Sequence, residues 1–237
     1  MAVSEMGYLY ETHMHTSQVS GCAVCTAAQQ VRSYKEKGYT GIIITDHFVN
    51  GYSTCPLHYR WEEKMRHLES GFVEAKMEGD KCGLDVFFGW EFTYRGSDFL
   101  TYGLDSDFLL AHPNLDKLAI KEYSEVVRSN AGYLAQAHPF RDEWYVEYKF
   151  PVDPALIDGV EVFNSTEPDA RNAKALAFAG RHNLPMQSGS DCHGRSALFP
   201  AGVLLENRAE SIFDIIEAIR SGRATLATTF SSIQTAD

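Results

Sequence analysis

Positive charge is scarce in this chain: 21 Lys and Arg stand against 32 Asp and Glu, a formal net charge of −11. A protein whose main task is to cover a phosphate backbone needs clustered Lys and Arg, so nucleic acid is not the expected partner. Long apolar runs are missing too. No stretch approaches the ~18 residues of a membrane span, and Met1 to Met6 hold neither a basic nor an apolar leader pattern. A cytoplasmic protein without a membrane partner is therefore expected. Cysteine is sparse and odd in number, five residues at Cys22, Cys25, Cys55, Cys82 and Cys192, which fits reduced thiols better than a disulfide framework. Cys22 and Cys25 form a Cys-X-X-Cys, but no second such pair stands at zinc-ribbon spacing, so a structural zinc or redox role is not expected there. Linkers, internal repeats and low-complexity stretches are also absent, and one domain over residues 1–237 is the economical reading.

What is present is an ordinary globular composition, 44% hydrophobic and 22% charged, in which short apolar runs alternate with helical periods. The run Tyr8-Leu9-Tyr10 leads into Glu11-Thr12-His13-Met14-His15-Thr16. In an extended chain, side chains at i and i+2 share a side, so His13 and His15 turn two imidazoles into one space, a metal-ligand spacing. Two histidines on an edge strand would read the same way, and the rest of the chain decides between them. A helix is expected from Thr26 to Gly38, then a strand Gly41-Ile42-Ile43-Ile44-Thr45 ending in Asp46-His47. A helix from Pro56 to Glu78, stopped by Gly79, precedes the strand Leu84 to Trp90, which ends in Glu91. Further strands are read at Phe99 to Leu104, Gly132 to Ala137 (ending in His138), Asp158 to Phe163 (ending in Asn164), Leu184 to Ser190 (ending in Asp191-Cys192-His193), Gly202 to Leu205 and Ala224 to Ala227. Helices are read at Leu115 to Asn130, Arg171 to His182 and Ala209 to Arg220.

Six of these apolar runs end, on the carboxyl side, in a metal-competent or hydrogen-bonding residue. In a barrel of parallel strands all carboxyl ends lie on one face, where such barrels place their active sites. Six unrelated surface residues would not keep that phase. His58, His67, His112 and His182 fall elsewhere and read as ordinary surface histidines. Asp46-His47 could instead be a helix cap and its neighbour, and His138-Pro139 a strand terminator. Glu91, between Trp90 and Phe92, resists such an account: a carboxylate buried in an apolar strand without a partner is costly, and a cation would relieve it. A set of His nitrogens and Asp and Glu oxygens without thiolates suits Zn²⁺, Mn²⁺ or Fe²⁺ without choosing among them. A few bound cations would make such a pocket electropositive despite the acidic surface.

These segments resemble the PHP superfamily, the polymerase and histidinol phosphatase family of metal-dependent phosphoesterases. His13-Met14-His15-Thr16 is similar to its first motif, Thr45-Asp46-His47 to its second, Glu91 with Ala137-His138-Pro139 to its third, and Gly189-Ser190-Asp191-Cys192-His193 to its fourth. The resemblance implies an α/β fold, a distorted (β/α)7 TIM-like barrel, with one to three divalent metal ions at the carboxyl-end face. His13, His15, Glu91 and Asp191 would hold one, Glu91 would bridge to a second held by His138, and His47 with His193 would hold a third. Two positions depart from the family's pattern. Ser20 and Gly21 stand where relatives often carry a His or Asp, and Leu100 where others carry a His. Each of the last two metals thereby lacks a ligand, for which Cys22 or Asp98 could substitute.

The implied activity is hydrolysis of a small phosphomonoester, such as histidinol phosphate, by metal-activated water, with His47, Glu91, Asp191 and His193 as the catalytic set. Arg141 and Arg195, just after His138 and His193, are placed to bind phosphate oxygens, with Asn164 nearby. Each arginine could equally be pairing with an acid. An exonuclease-type phosphodiesterase and a catalytically silent metal-binding module are the alternatives. The first would need a basic track to the pocket, which the −11 charge speaks against. Oligomeric state is not legible.

Overall fold

The apolar runs fold into the strands of one curled sheet, and the amphipathic segments cover it. A computed structural model describes residues 7–147, 149–194 and 201–229. In chain order the strands are β1 (Tyr8–Glu11), β2 (Gly41–Ile44), β3 (Asp85–Tyr94), β4 (Ser97–Tyr102), β5 (Tyr133–Gln136), β6 (Gly159–Asn164), β7 (Met186–Gly189), β8 (Gly202–Leu205) and β9 (Thr225–Ala227). The helices are α1 (Ala27–Glu36), α2 (Trp61–Cys82), α3 (Ser106–Ala111), α4 (Ile120–Ser129), α5 (Asp169–His182) and α6 (Ile212–Arg220). Among the described residues no helix is long and apolar enough to cross a membrane.

The strands form a single sheet in the order β7-β6-β5-β4-β3-β2-β1-β8-β9. It curls until β7 comes back to β1 and β8, and the seam is closed mainly by side chains. Thr12 Oγ1 donates to the Ser188 carbonyl (2.7 Å), the Ser190 amide donates to Glu11 Oε1 (2.8 Å), and the Gly202 amide donates to Ser188 Oγ (3.1 Å). The result is the expected α/β barrel in a nearly closed form, although its strands are not all parallel. β1, β2, β3, β5, β6 and β7 run one way, while β4 runs against both of its neighbours and β8 against β1. The cause at β4 is local. Only Arg95-Gly96 joins β3 to β4, with φ of 53° and 78°. Two residues at positive φ make a type I′ hairpin turn, whereas a parallel crossover needs a dozen residues or more.

Several boundaries also differ from the sequence reading. α2 runs past Gly79 and stops at Gly83, whose left-handed backbone (φ 73°) closes the helix. Gly79 is inside the helix because a Cβ there would stand 2.6 Å from the Leu84 carbonyl. The single helix expected over 115–130 is a 3-10 turn, Leu115–Lys117, followed by α4. β1 ends at Glu11, so His13 and His15 lie beyond the strand. They keep its alternation because Met14 is tied to the neighbouring strand end: its amide donates to Thr45 Oγ1 (2.9 Å) and its carbonyl accepts from the Thr45 amide (3.0 Å). Met14 is then fully buried, and the two imidazoles face the other way. Glu91 is inside β3, at the point where pairing with the β2 segment stops at the His47–Glu91 bridge and the strand runs on alongside β4.

Candidate metal centre

Strand ends from around the barrel deliver their side chains to one buried cluster. His13 Nε2 lies 3.2 Å from His15 Nε2, 3.2 Å from Glu91 Oε1 and 3.4 Å from Asp191 Oδ1. His15 Nε2 lies 3.2 Å from Asp191 Oδ1 and 3.6 Å from Glu91 Oε2. Glu91 faces two groups at once: Oε1 is also 3.3 Å from His138 Nε2, and Oε2 is 2.8 Å from His47 Nδ1. Asp98, on β4, lies with Oδ2 3.8 Å from His138 Nε2. It stands two residues before Leu100 on the same face of β4, which is how a carboxylate reaches the place where Leu100 offers none. The rings of His15, His47 and His193 gather nearby, with centroids 4.4 Å (His15–His47), 4.2 Å (His15–His193) and 6.0 Å (His47–His193) apart.

Proton bookkeeping tests whether a cation fits here. His13 Nδ1 is 2.9 Å from Glu161 Oε1. A carboxylate only accepts, so Nδ1 carries the hydrogen and Nε2 is a lone pair. Ser20 Oγ gives its own proton to Asp46 Oδ1 (2.7 Å), so it accepts from His15 Nδ1 (3.1 Å), and His15 Nε2 is a lone pair as well. Two nitrogen lone pairs and the oxygens of Glu91 and Asp191 therefore converge with no hydrogen donor among them. That arrangement is repulsive until a positive charge enters, and the donor set is one that divalent ions accept. Without an ion a proton plays the part. Burial alone would lower the His13 pKa, but the charges of Glu161, Asp191 and Glu91 hold it well above the ordinary histidine value. His15 is driven well below by burial and by His193 and His47. Burial opposes ionisation of Glu91 and Asp191, yet both are held well below the usual carboxylate range, Glu91 chiefly by His13 and His47, Asp191 by His13 and Arg141. His138 and Asp191 sit at φ of 26° and 52°, backbone conformations that cost non-glycine residues on the order of 1–3 kcal/mol and turn these side chains inward.

Two of the supporting acids, Glu161 and Glu11, were not singled out in the sequence. Glu161, fully inside β6, receives His13 Nδ1 on one oxygen and, on the other, the His138 amide (3.0 Å) and Asn164 Nδ2 (2.9 Å). Its signal was available: like Glu91, it is an acid between apolar residues of a buried strand. Glu11 accepts from the backbone amides of Thr12, His13 and Ser190, which fixes the entry to His13. Asp46 is held by Thr16 and Ser20 beneath His15. A Glu161→Gln variant tests this layer. Its amide can accept from His13 only by turning its NH₂ onto two other donors, so we expect metal affinity to fall about 10–100-fold with the fold intact, measured by calorimetric metal titration.

The substrate-binding candidates divide. Arg141 borders the pocket, but its guanidinium is already engaged, Nη2 with Asp191 Oδ2 (2.7 Å) and Nε with Glu167 Oε1 (2.5 Å). Asn164 is fully buried and spends its amide on Glu161 and Asp191. Arg195 lies outside the described residues. Cys192 points away from the cluster, its Sγ 2.7 Å from the Gly194 carbonyl, and all five cysteines are free thiols. Above the cluster opens a cavity of about 830 Å³, walled by His47, Asp98, Asp191 and His193 and rimmed by Tyr52, Trp144 and Tyr145.

The fold and the cluster together define an α/β barrel with a candidate divalent-metal centre on the carboxyl-end face. Residues 169–224 match the family described as PHP-associated. The whole chain shares its fold with a two-domain protein of Bacteroides vulgatus that contains a predicted PHP-like metal-dependent phosphoesterase (16% identity, TM-score 0.70, covering 95% of this chain and 67% of that one). It is also similar to a presumed metal-dependent phosphoesterase from Bifidobacterium adolescentis (15%, TM-score 0.52, 92% and 96%) and to a lesion-specific endonuclease from Pyrococcus furiosus (14%, TM-score 0.60, 93% and 58%). No curated protein matches. The family match covers residues 169–224, and the solved structures share this barrel fold.

Proposed function

We propose that the chain is a metal-dependent phosphoesterase acting on a small phosphomonoester. The observation that carries this reading is the double exposure of Glu91, whose two oxygens face separate imidazole groups as a carboxylate shared by two cations would. Bound there, divalent ions supply Lewis acidity and lower the pKa of water. The protein's own part is positional. Asp191 is steered by Arg141, His13 by Glu161, and His47 and His193 form the wall against which a leaving oxygen would lie.

A cavity of about 830 Å³ suits a small molecule, and the exposed Tyr52 and Trp144 offer flat apolar surface to its organic part. The same rim favours a second reading, a nuclease that stacks a base there, against which the −11 charge weighs. The test is a panel: p-nitrophenyl phosphate, its bis ester and end-labelled single-stranded DNA and RNA, assayed with metal, after chelation and after restoration. We expect monoester turnover that disappears with chelator and returns with metal, at least tenfold above the diester. Preferential cleavage of diester or nucleic acid would replace this reading by the nuclease, and bound metal with no turnover anywhere would replace it by a silent binding module.

A further inference from the structure

Three side chains on the pocket wall stand to one side of the Glu91 cluster: Cys22, His47 and His193. The loop carrying Cys22 is fixed on both flanks. The Gly21 amide donates to the Tyr52 carbonyl (2.8 Å), the Ala23 amide to the Ser20 carbonyl (3.1 Å) and the Val24 amide to the His193 carbonyl (2.7 Å). The thiol is thereby held with Sγ 3.1 Å from His47 Nε2 and within hydrogen-bonding reach of the His193 ring.

Both rings present the nitrogen a cation needs. His193 Nδ1 is 2.8 Å from the Asp191 carbonyl oxygen, which can only accept, so Nδ1 carries the hydrogen and Nε2 the lone pair. His47 Nδ1 lies 2.8 Å from Glu91 Oε2 but outside hydrogen-bond geometry, while Nε2 is the nitrogen beside the sulfur. For His193 this is the orientation that a carbonyl partner imposes on metal-binding imidazoles. His15 stands beside both rings and groups with them as a candidate ligand, its Nδ1 on Ser20 and its Nε2 also near His13 and Asp191.

We propose that Cys22, as a thiolate, completes a third cation site with His47 and His193, one residue beyond the Ser20–Gly21 positions that offer no ligand. This rests on the reading that the pocket holds divalent ions. Its consequence is selectivity. A soft sulfur donor favours Zn²⁺, with Co²⁺ as a spectroscopic substitute, and disfavours Mn²⁺, whereas the nitrogen and oxygen sets around Glu91 tolerate all three.

The experiment is Co²⁺ titration of the metal-free full chain, comparing wild type with Cys22→Ser and a Cys25→Ser control, each checked for folding by circular dichroism. Expected are visible ligand-field bands in all three proteins, and a near-ultraviolet sulfur-to-cobalt charge-transfer band in wild type and Cys25→Ser only. Cys22→Ser should also bind one Zn²⁺ fewer per chain, or bind it at least tenfold more weakly. Ligand-field bands without a charge-transfer band in wild type, or a charge-transfer band that survives in Cys22→Ser, would overturn the thiolate site and leave the Glu91 centre standing. Failure of every protein to take up cobalt would instead overturn the metal reading itself, and this site with it.

Discussion

Glu91→Gln is expected to lower turnover at least ~10³-fold, about 4 kcal/mol of transition-state stabilisation, while the apo protein stays folded. Both halves follow from the contacts. The carboxylate contributes one oxygen toward His13 and His138 and the other toward His47 and His15. An amide keeps one oxygen, removes the charge and turns an NH₂ toward imidazole nitrogens on one side or the other. As a ligand it fails there. In the apo cluster the lost charge also removes a partner of the protonated His13 and of His47, so the unfolding midpoint without metal should fall while the protein remains folded. Bound metal per chain should drop, read by elemental analysis after dialysis. A Glu91→Gln protein that retains full turnover and full metal content would sink the shared-carboxylate scheme.

The part of this site that could be read from the sequence is the part that breaks an apolar pattern. A histidine, aspartate or glutamate at the end of a buried strand is costly alone, so its recurrence in phase at His13, His47, Glu91, His138 and Asp191 carried information, and the fold gathers these groups. What the sequence hid depends on partners far along the chain. Arg141 looks like a free phosphate binder until its partner, fifty residues on at Asp191, is in place. Glu161 was absorbed into a strand because a lone acid there reads as an outward-facing residue, while here both faces of β6 are covered. The antiparallel course of β4 was hidden for a smaller reason: the Arg95-Gly96 turn is two residues long, and the surrounding βα pattern made a parallel strand the default. Cys22 and Asp98 were both in view as substitute ligands, but only the loop and pleat geometry separates their places.

Gly189 tests whether the tight packing under the cluster is itself functional. It ends β7 with no need for a positive φ, so alanine should suit the strand better on conformational grounds. Space decides otherwise. A Cβ at this position would stand 2.5 Å from Glu161 Oε1 and 2.6 Å from His13 Cβ. Neither neighbour can yield cheaply: that Glu161 oxygen receives His13 Nδ1, and the His13 backbone is pinned through its amide to Glu11 Oε1 (2.9 Å). Gly189→Ala should therefore destabilise the apo protein by about 1–3 kcal/mol, the usual cost of overpacking. It should also weaken metal binding at least tenfold, because the displaced group is a proposed ligand together with its orienting acid. Gly180 supplies the contrast. It lies exposed inside α5, where a Cβ would meet nothing within 4 Å, so Gly180→Ala should stabilise by about 0.5–1 kcal/mol and leave metal affinity alone. Denaturant unfolding and metal titration on the two variants read both quantities. If Gly189→Ala behaves like Gly180→Ala, the contact between β7 and His13 is looser than described, and the close approach of strand to ligand has no role in holding the centre.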